Sequence, residues 1–218
     1  MMTADSFIIE LSERLSQTES LKGMMSMATQ ANQIIGYPRP SPEEARNMNP
    51  PAKESAVLFP LYLRRSEWHT AFIQRSSGQG VHSGQLSFPG GRLEMGESYI
   101  EAALRETHEE IGIESSSWKV IGELSALYIP PSHFVVQPFL AVGPENPEFT
   151  LNNAEAAGII ECPISYLLQP GIIGRKDIYV SKYQRTFESG YFDIQGDTLW
   201  GATAIMVQEF RSLFGYEN

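Results

Sequence analysis

Apolar residues fall at helical spacing through residues 4–35: Phe7, Ile8, Leu11 and Leu15, then Leu21, Met24, Met25 and Met27. That periodicity predicts one or two amphipathic helices, serving as a packing or dimer-forming appendage. The next stretch, YPRPSPEEARNMNPPAK (37–53), holds five prolines and few apolar side chains. It reads as a linker or as a loop wrapped over the core. From there the pattern changes to short β-rich runs. SAVLFPLYLR (55–64) and TAFIQRS (70–76) predict two strands, joined as a hairpin by the polar turn Arg65–Ser66–Glu67. SGQGVHSGQ (77–85) is a glycine-rich loop. Ile100, Ala103, Leu104, Thr107 and Ile111 then return to helical spacing, predicting a helix over 97–111 that Gly112 stops. Strands are expected at 118–129, 134–143 and 157–164, and a second hairpin at 176–189 and 191–195 across Gly190. A last helix is expected over 200–214. The chain divides into an extension and proline-rich linker, 1–53, and a domain, 54–218, built as a sheet with helices packed on it.

Composition narrows the function. With 218 residues, 42% hydrophobic and 19% charged, the chain can bury a full core. It has no apolar stretch near the roughly 20 residues that span a bilayer. Nor does it begin with a basic segment followed by an apolar block, so a soluble, cytoplasmic protein is expected. A single cysteine, Cys162, excludes an internal disulfide. The formal charge of −10 argues against a nucleic-acid partner, because no basic stripe exists to meet phosphates. An acidic protein can still act on phosphates if metal cations stand between the two.

The stretch SFPGGRLEMGESYIEAALRETHEEIGI (87–113) is where such cations could sit. With each helical residue turning by about 100°, Glu110 lies at about +40° and Glu109 at about −60° from Glu106, so the three share one arc. Like charges at that spacing oppose one another. Only Arg105 is basic between Glu97 and Ile113, whereas a helix patterned for solubility would interleave lysines. Oxygen-ligated divalent cations suit such a cluster, and so does a plain solvated acidic face; the residues alone leave both open. Pro89–Gly90–Gly91 gives a tight turn and lets backbone approach a ligand closely. No Gly-Lys-Ser/Thr follows, and the spacing of a dinucleotide fingerprint is absent, so neither a P-loop nor a Rossmann site is present.

The whole spacing resembles the Nudix box, G-x5-E-x7-R-E-U-x-E-E-x-G-U with U aliphatic. Here it runs Gly91, Glu97, then Arg105–Glu106–Thr107–His108–Glu109–Glu110–Ile111–Gly112–Ile113. Thr107 at a U position is the one departure, β-branched and still packable. The resemblance implies an α/β (α+β) fold, a Nudix-type α/β/α sandwich with a mixed β-sheet, here preceded by the N-terminal helical extension. It implies hydrolysis of a nucleoside diphosphate linked to another moiety. Glu106, Glu109 and Glu110 would be the principal ligands of Mg²⁺ or Mn²⁺. Arg105 would orient a glutamate by ion pairing, and Glu97 would support the loop or reach the metal through water; Glu101 is left as ordinary surface. Splitting a diphosphate needs an activated water and neutralised phosphate oxygens. Glu155, in the loop before a strand, is the candidate general base, with Glu109 the alternative.

Flanking residues point to a branch. Arg75–Ser76, His82–Ser83–Gly84–Gln85 and Phe88–Pro89–Gly90–Gly91 resemble the signature of coenzyme A pyrophosphatase-like Nudix proteins. So do Asn152-x-x-Glu155 and Trp200–Gly201–Ala202–Thr203–Ala204. Two positions depart from it: Gly80 replaces an arginine and Glu94 an aspartate. Arg75, Gly90, Gly91 and Arg92 are the candidate substrate contacts. The expected substrate is coenzyme A or an acyl derivative, and the alternatives are an ADP-ribose or NADH-type dinucleotide and a non-catalytic nucleotide-sensing module. A homodimer through the N-terminal apolar stripe completes the expectations.

Overall fold

A computed structural model describes residues 4–19, 39–76, 84–152 and 156–216. Its organising strand is β1 (Lys53–Arg64). Both faces of β1 are covered, which is why it reads as a near-continuous apolar run rather than an alternating one. Ala56 and Leu58 face one core, and Phe59 and Leu61 face the other. Parallel to β1 lies β7 (Phe134–Val142), in register from Lys53↔Phe134 to Leu61↔Val142. The opposite edge of β1 is shared by two partners. β4 (Gly90–Arg92) pairs with Ser55–Val57, and β2 (Glu67–Arg75) pairs with Tyr62–Arg64. β2 in turn carries β3 (Leu86–Ser87) and β8 (Ala156–Pro163), while β5 (Lys119–Glu123) and β6 (Leu127–Ile129) line the far side of β7. The sheet is therefore mixed, as expected.

Helices cover both faces. On the Leu58 side sits α3 (Tyr99–Ile111), through Ala102, Ala103 and Ile111. On the Phe59 side sit α1 (Ala4–Glu19) and α5 (Gly201–Ser212). A second antiparallel sheet, β9 (Ile173–Val180), β10 (Arg185–Ile194) and β11 (Asp197–Trp200), adds Phe192, Ile194 and Leu199 to that core. A short helix, α4 (Ile164–Leu167), follows β8. Among the described residues no helix is long and apolar enough to cross a membrane.

Several expectations change. The proline-rich stretch is not all loop: Pro42–Arg46 forms α2, with Pro42 opening it. Ser41 Oγ accepts from the Glu44 amide at 3.1 Å, and the Glu44 carboxylate accepts from the Ser41 amide at 2.6 Å. This capping box satisfies amides that the helix start leaves orphaned. Residues 118–129 form two strands, not one. Pro138 of β7 has no N–H to donate to the ladder, and the Gln137 side-chain amide bonds the Leu124 carbonyl instead at 2.8 Å. The second hairpin does not turn at Gly190, which pairs with Arg175 inside β10. Its turn is Ser181–Gln184, and a further tight turn at Gln195–Gly196, both at positive φ, leads to β11. Trp200 ends that strand, so the last helix starts one residue later than expected.

The N-terminal stripe has an intramolecular use. Phe7, Leu11 and Leu15 are buried in the chain's own core; Phe7 lies 5.3 Å from the Trp68 ring and stacks on Phe214 at 5.6 Å. Arg14 donates to the Leu213 carbonyl at 2.6 Å. This half of the stripe is thus used within the chain, while Leu21–Met27, the other half behind the expected dimer, lie outside the described residues. Leu11→Ala should lower the free energy of unfolding by about 2–4 kcal/mol, as for other fully buried leucines; urea titration followed by circular dichroism measures it.

Candidate active site

The site starts from two glycines that have no room for a side chain. A Cβ on Gly90, whose φ is +149°, would lie 2.3 Å from the Ala56 carbonyl oxygen. One on Gly91 would lie 2.3 Å from the Glu106 carboxyl carbon. β4 is thus a bare backbone ribbon, and α3 lays its carboxylates directly on it. The Gly90 amide donates to Glu110 Oε2 at 2.8 Å. Space read in the sequence as an approach for ligand is therefore filled by the protein's own Glu106 and Ala56.

α3 is fixed at both ends. Ser98 Oγ accepts from the Glu101 amide at 3.3 Å, and Glu101 accepts from the Ser98 amide at 2.9 Å, so Glu101 is a capping residue rather than ordinary surface. Glu97 consequently lies outside the helix. At the other end Gly112 is left-handed (φ +75°), and a Cβ there would meet the Thr150 side chain at 2.7 Å. That close approach lets the amides of Thr150 and Asn152 bond the carbonyls of Ile111 and Glu110, at 2.9 and 3.2 Å. The loop leading towards Glu155 therefore leaves from the glutamate end of α3; Glu155, Gly80 and His82 themselves lie outside the described residues. Thr107, the departure from the aliphatic position, is fully buried, and its hydroxyl is satisfied by the Ala103 carbonyl at 2.6 Å.

Arg105 gathers the charges. Its Nε and Nη2 donate to the two oxygens of Glu97 at 2.8 and 3.0 Å, and Nη2 also reaches the Arg92 carbonyl at 3.1 Å. Its Nη1 donates to Glu106 Oε1 at 2.9 Å and Glu109 Oε2 at 3.2 Å. The guanidinium beside it holds the Glu97 carboxyl below the usual carboxylate range, and Glu97 in turn raises the already high Arg105. Glu110 is buried on the β4 side, with Arg75 Nη1 at 4.0 Å from its other oxygen. Arg75 is presented there by an irregularity in the β2–β8 register between Gln74 and Arg75. The Arg92 side chain is exposed at the end of β4.

Glu97, Arg105, Glu106, Glu109 and Glu110 thus lie together among the described residues, but not as one three-ligand point. Among the described residues no group of three His, Cys, Asp or Glu side chains is placed to hold a metal ion. Glu106 and Glu109 converge, on Arg105 Nη1; Glu110 turns to the Gly90 amide. A clamp escaped sequence reading: Tyr99 Oη and Arg46 Nε both donate to Glu54, at 2.7 and 2.9 Å, tying α2, β1 and the start of α3. No local pattern marks those three residues. Cys162 is buried with its thiol pushed up to about 12, so it offers no nucleophile.

Comparison with known proteins gives the chain a family. The NUDIX domain family matches residues 53–179. A Citrobacter koseri protein named Uncharacterized Nudix hydrolase NudL is 34% identical over 169 residues, spanning 75% of this chain and 83% of its own length. The Yersinia enterocolitica protein of the same name is 33% identical over 155 residues, spanning 71% and 77%. Among solved structures, a MutT/nudix family protein from Enterococcus faecalis has a TM-score of 0.51 at 17% identity, covering 93% of this chain and 74% of its own. The Nudix hydrolase RenU from M. smegmatis has a TM-score of 0.50 at 15% identity, covering 75% and 86%. These structures share the fold. The chain belongs to the Nudix family, and it is a pyrophosphohydrolase.

Proposed function

We propose that the chain hydrolyses the diphosphate bond of coenzyme A or acyl-coenzyme A with Mg²⁺ or Mn²⁺ held by Glu106, Glu109 and Glu110, and Glu97 as a further, water-mediated ligand. The observation that carries the metal reading is the convergence of two carboxylate oxygens, from Glu106 and Glu109, on a single cationic atom, Arg105 Nη1. That nitrogen is a stand-in cation in an all-oxygen donor set, the kind hard divalent ions prefer. Mg²⁺ binds through one or two carboxylates plus substrate phosphates and keeps its waters, so the Glu106–Glu109 pair fits it without a third ligand at the same point. When bound, the ion neutralises diphosphate oxygens and lowers the pKa of a water.

The chain's own residues do the rest. Glu97 and the Arg92 carbonyl hold Arg105, which holds Glu106 and Glu109 in place. Arg75 stands at the rim beside Glu110 and, with the exposed Arg92, offers donors to phosphate oxygens. An attacking water forms one new phosphorus–oxygen bond as the bridging phosphorus–oxygen bond breaks. Its proton passes to Glu155 or Glu109. The coenzyme A assignment is supported by Arg75–Ser76, Gly84 and Phe88–Pro89–Gly90–Gly91, of which Phe88 is a buried core residue. We also propose a cytoplasmic setting, with a small diphosphate as partner rather than nucleic acid or membrane.

Three outcomes follow. Glu109→Gln and Glu106→Gln should each lower turnover by about a hundredfold or more while the protein stays folded, read from phosphate-coupled assays with Mg²⁺ or Mn²⁺. Gly91→Ala should displace the Glu106 carboxylate and cost about a hundredfold in turnover; retention of full activity would show that Glu106 is not where the chemistry happens. In a screen of coenzyme A, ADP-ribose and NADH, coenzyme A should turn over fastest and release 3′,5′-ADP. Preference for either of the others would move the assignment to a dinucleotide pyrophosphatase.

A further inference from the structure

We infer that Arg105 is a displaceable counter-ion: its Nη1 edge neutralises Glu106 and Glu109 and surrenders them to an incoming divalent cation, while its Nε–Nη2 edge stays pinned. This rests on the metal reading above. The two edges of the guanidinium are held unequally. The Nε–Nη2 edge meets both oxygens of Glu97 in a fork, and the Arg92 carbonyl adds a third bond. Such bidentate contacts are strong and directional. The Nη1 edge is spread over two different carboxylates, one bond to each, at 2.9 and 3.2 Å. All of its donors are engaged, so a second cation arriving at these same Glu106 and Glu109 oxygens competes with Nη1 for them.

Deprotonation offers no way out, because an arginine in this setting keeps its charge. Only movement can remove it. Glu97 supplies the pivot: it lies in the loop before α3, outside the helix that carries the other two glutamates, so the pinned edge stays put when Nη1 lets go. The energetic sign follows. Glu106 and Glu109 sit one turn apart and repel when unneutralised, so Arg105 stabilises the metal-free helix; the same positive charge opposes a divalent ion arriving at the same oxygens. A residue that merely orients the ligands for metal has the opposite sign, since its removal must weaken binding.

Mn²⁺ binding to the full chain, measured by the loss of the free-ion electron paramagnetic resonance signal, separates these. Arg105→Gln should bind Mn²⁺ about tenfold more tightly than the native protein. It should also melt at a lower temperature without metal, the gap closing as Mn²⁺ is added, although turnover falls. Arg105→Met, which cannot remake a hydrogen bond, should do the same. In native protein labelled with ¹⁵N-arginine, saturating Mg²⁺ should speed hydrogen exchange at Nη of one arginine and leave its Nε protected. Unchanged or weaker Mn²⁺ binding by the variants, or an unresponsive Nη signal in Mg²⁺-bound native protein, overturns the inference and leaves the metal reading standing. Failure of the native protein to bind Mn²⁺ overturns the metal reading and this inference with it.

Discussion

The fork of Arg105 is the interaction on which the rest of the site depends. One planar cation touches the loop through Glu97, the strand through the Arg92 carbonyl, and the helix through Glu106 and Glu109. Three elements from separate parts of the fold are thereby set relative to one another by a single rigid group. Lysine has the charge but lacks the planar fork that can serve Glu97 with one edge and the helix with the other. The glycines of β4 and the Ser98 cap serve the same geometry, the first by bringing the helix close and the second by starting it after Glu97.

That arrangement needs a firm floor. A helix carrying adjacent carboxylates gains little from its own charges, so its position comes from the buried side, where Ala102 and Ala103 pack on Ala56 and Leu58. The small alanines let α3 lie close to the sheet, and β1 is stiffened by parallel pairing with β7 along most of its length. The second layer, α1 and α5 against Phe59 and Leu61, supports the same strand from behind. Residues before the family match at Lys53 thus contribute to the platform under the site, through α1 and through the Arg46–Glu54–Tyr99 clamp.

What could be read from the sequence was what is decided locally. The β1–β2 turn, α3 and its left-handed stop at Gly112 follow from turn chemistry and periodicity, and the Glu97–Arg105–Glu106 spacing placed those side chains together. Where a distant partner decides, local pattern carries no signal. Pro138 on β7 divides the strand after Trp118, and nothing within 118–129 announces it. Counting prolines hid the Ser41–Glu44 capping box, although its signature is local and could have been found. Gly190 looked like a turn because glycine often is one, yet two consecutive left-handed residues, Gln195 and Gly196, make the tighter bend. The resemblance implies one glutamate partner for Arg105; its simultaneous hold on three is a property of the folded loop.

The carboxylates differ most in their access to water. Side-chain exposure rises from 2% at Glu110 through 17% at Glu106 to 46% at Glu109. A buried carboxylate needs donors to offset its lost hydration, and Glu110 has them in the Gly90 amide, with Arg75 at its other oxygen. It is therefore the group least able to move or to exchange a proton with solvent. Glu109 makes only the longer of the two Nη1 bonds and faces water. On the proposed chemistry, roles that demand rigidity belong at the Glu110 end and roles that demand proton exchange at the Glu109 end. One short helix can then supply both, because its inner arc rests on a glycine ribbon while its outer arc, four residues or fewer away, meets solvent.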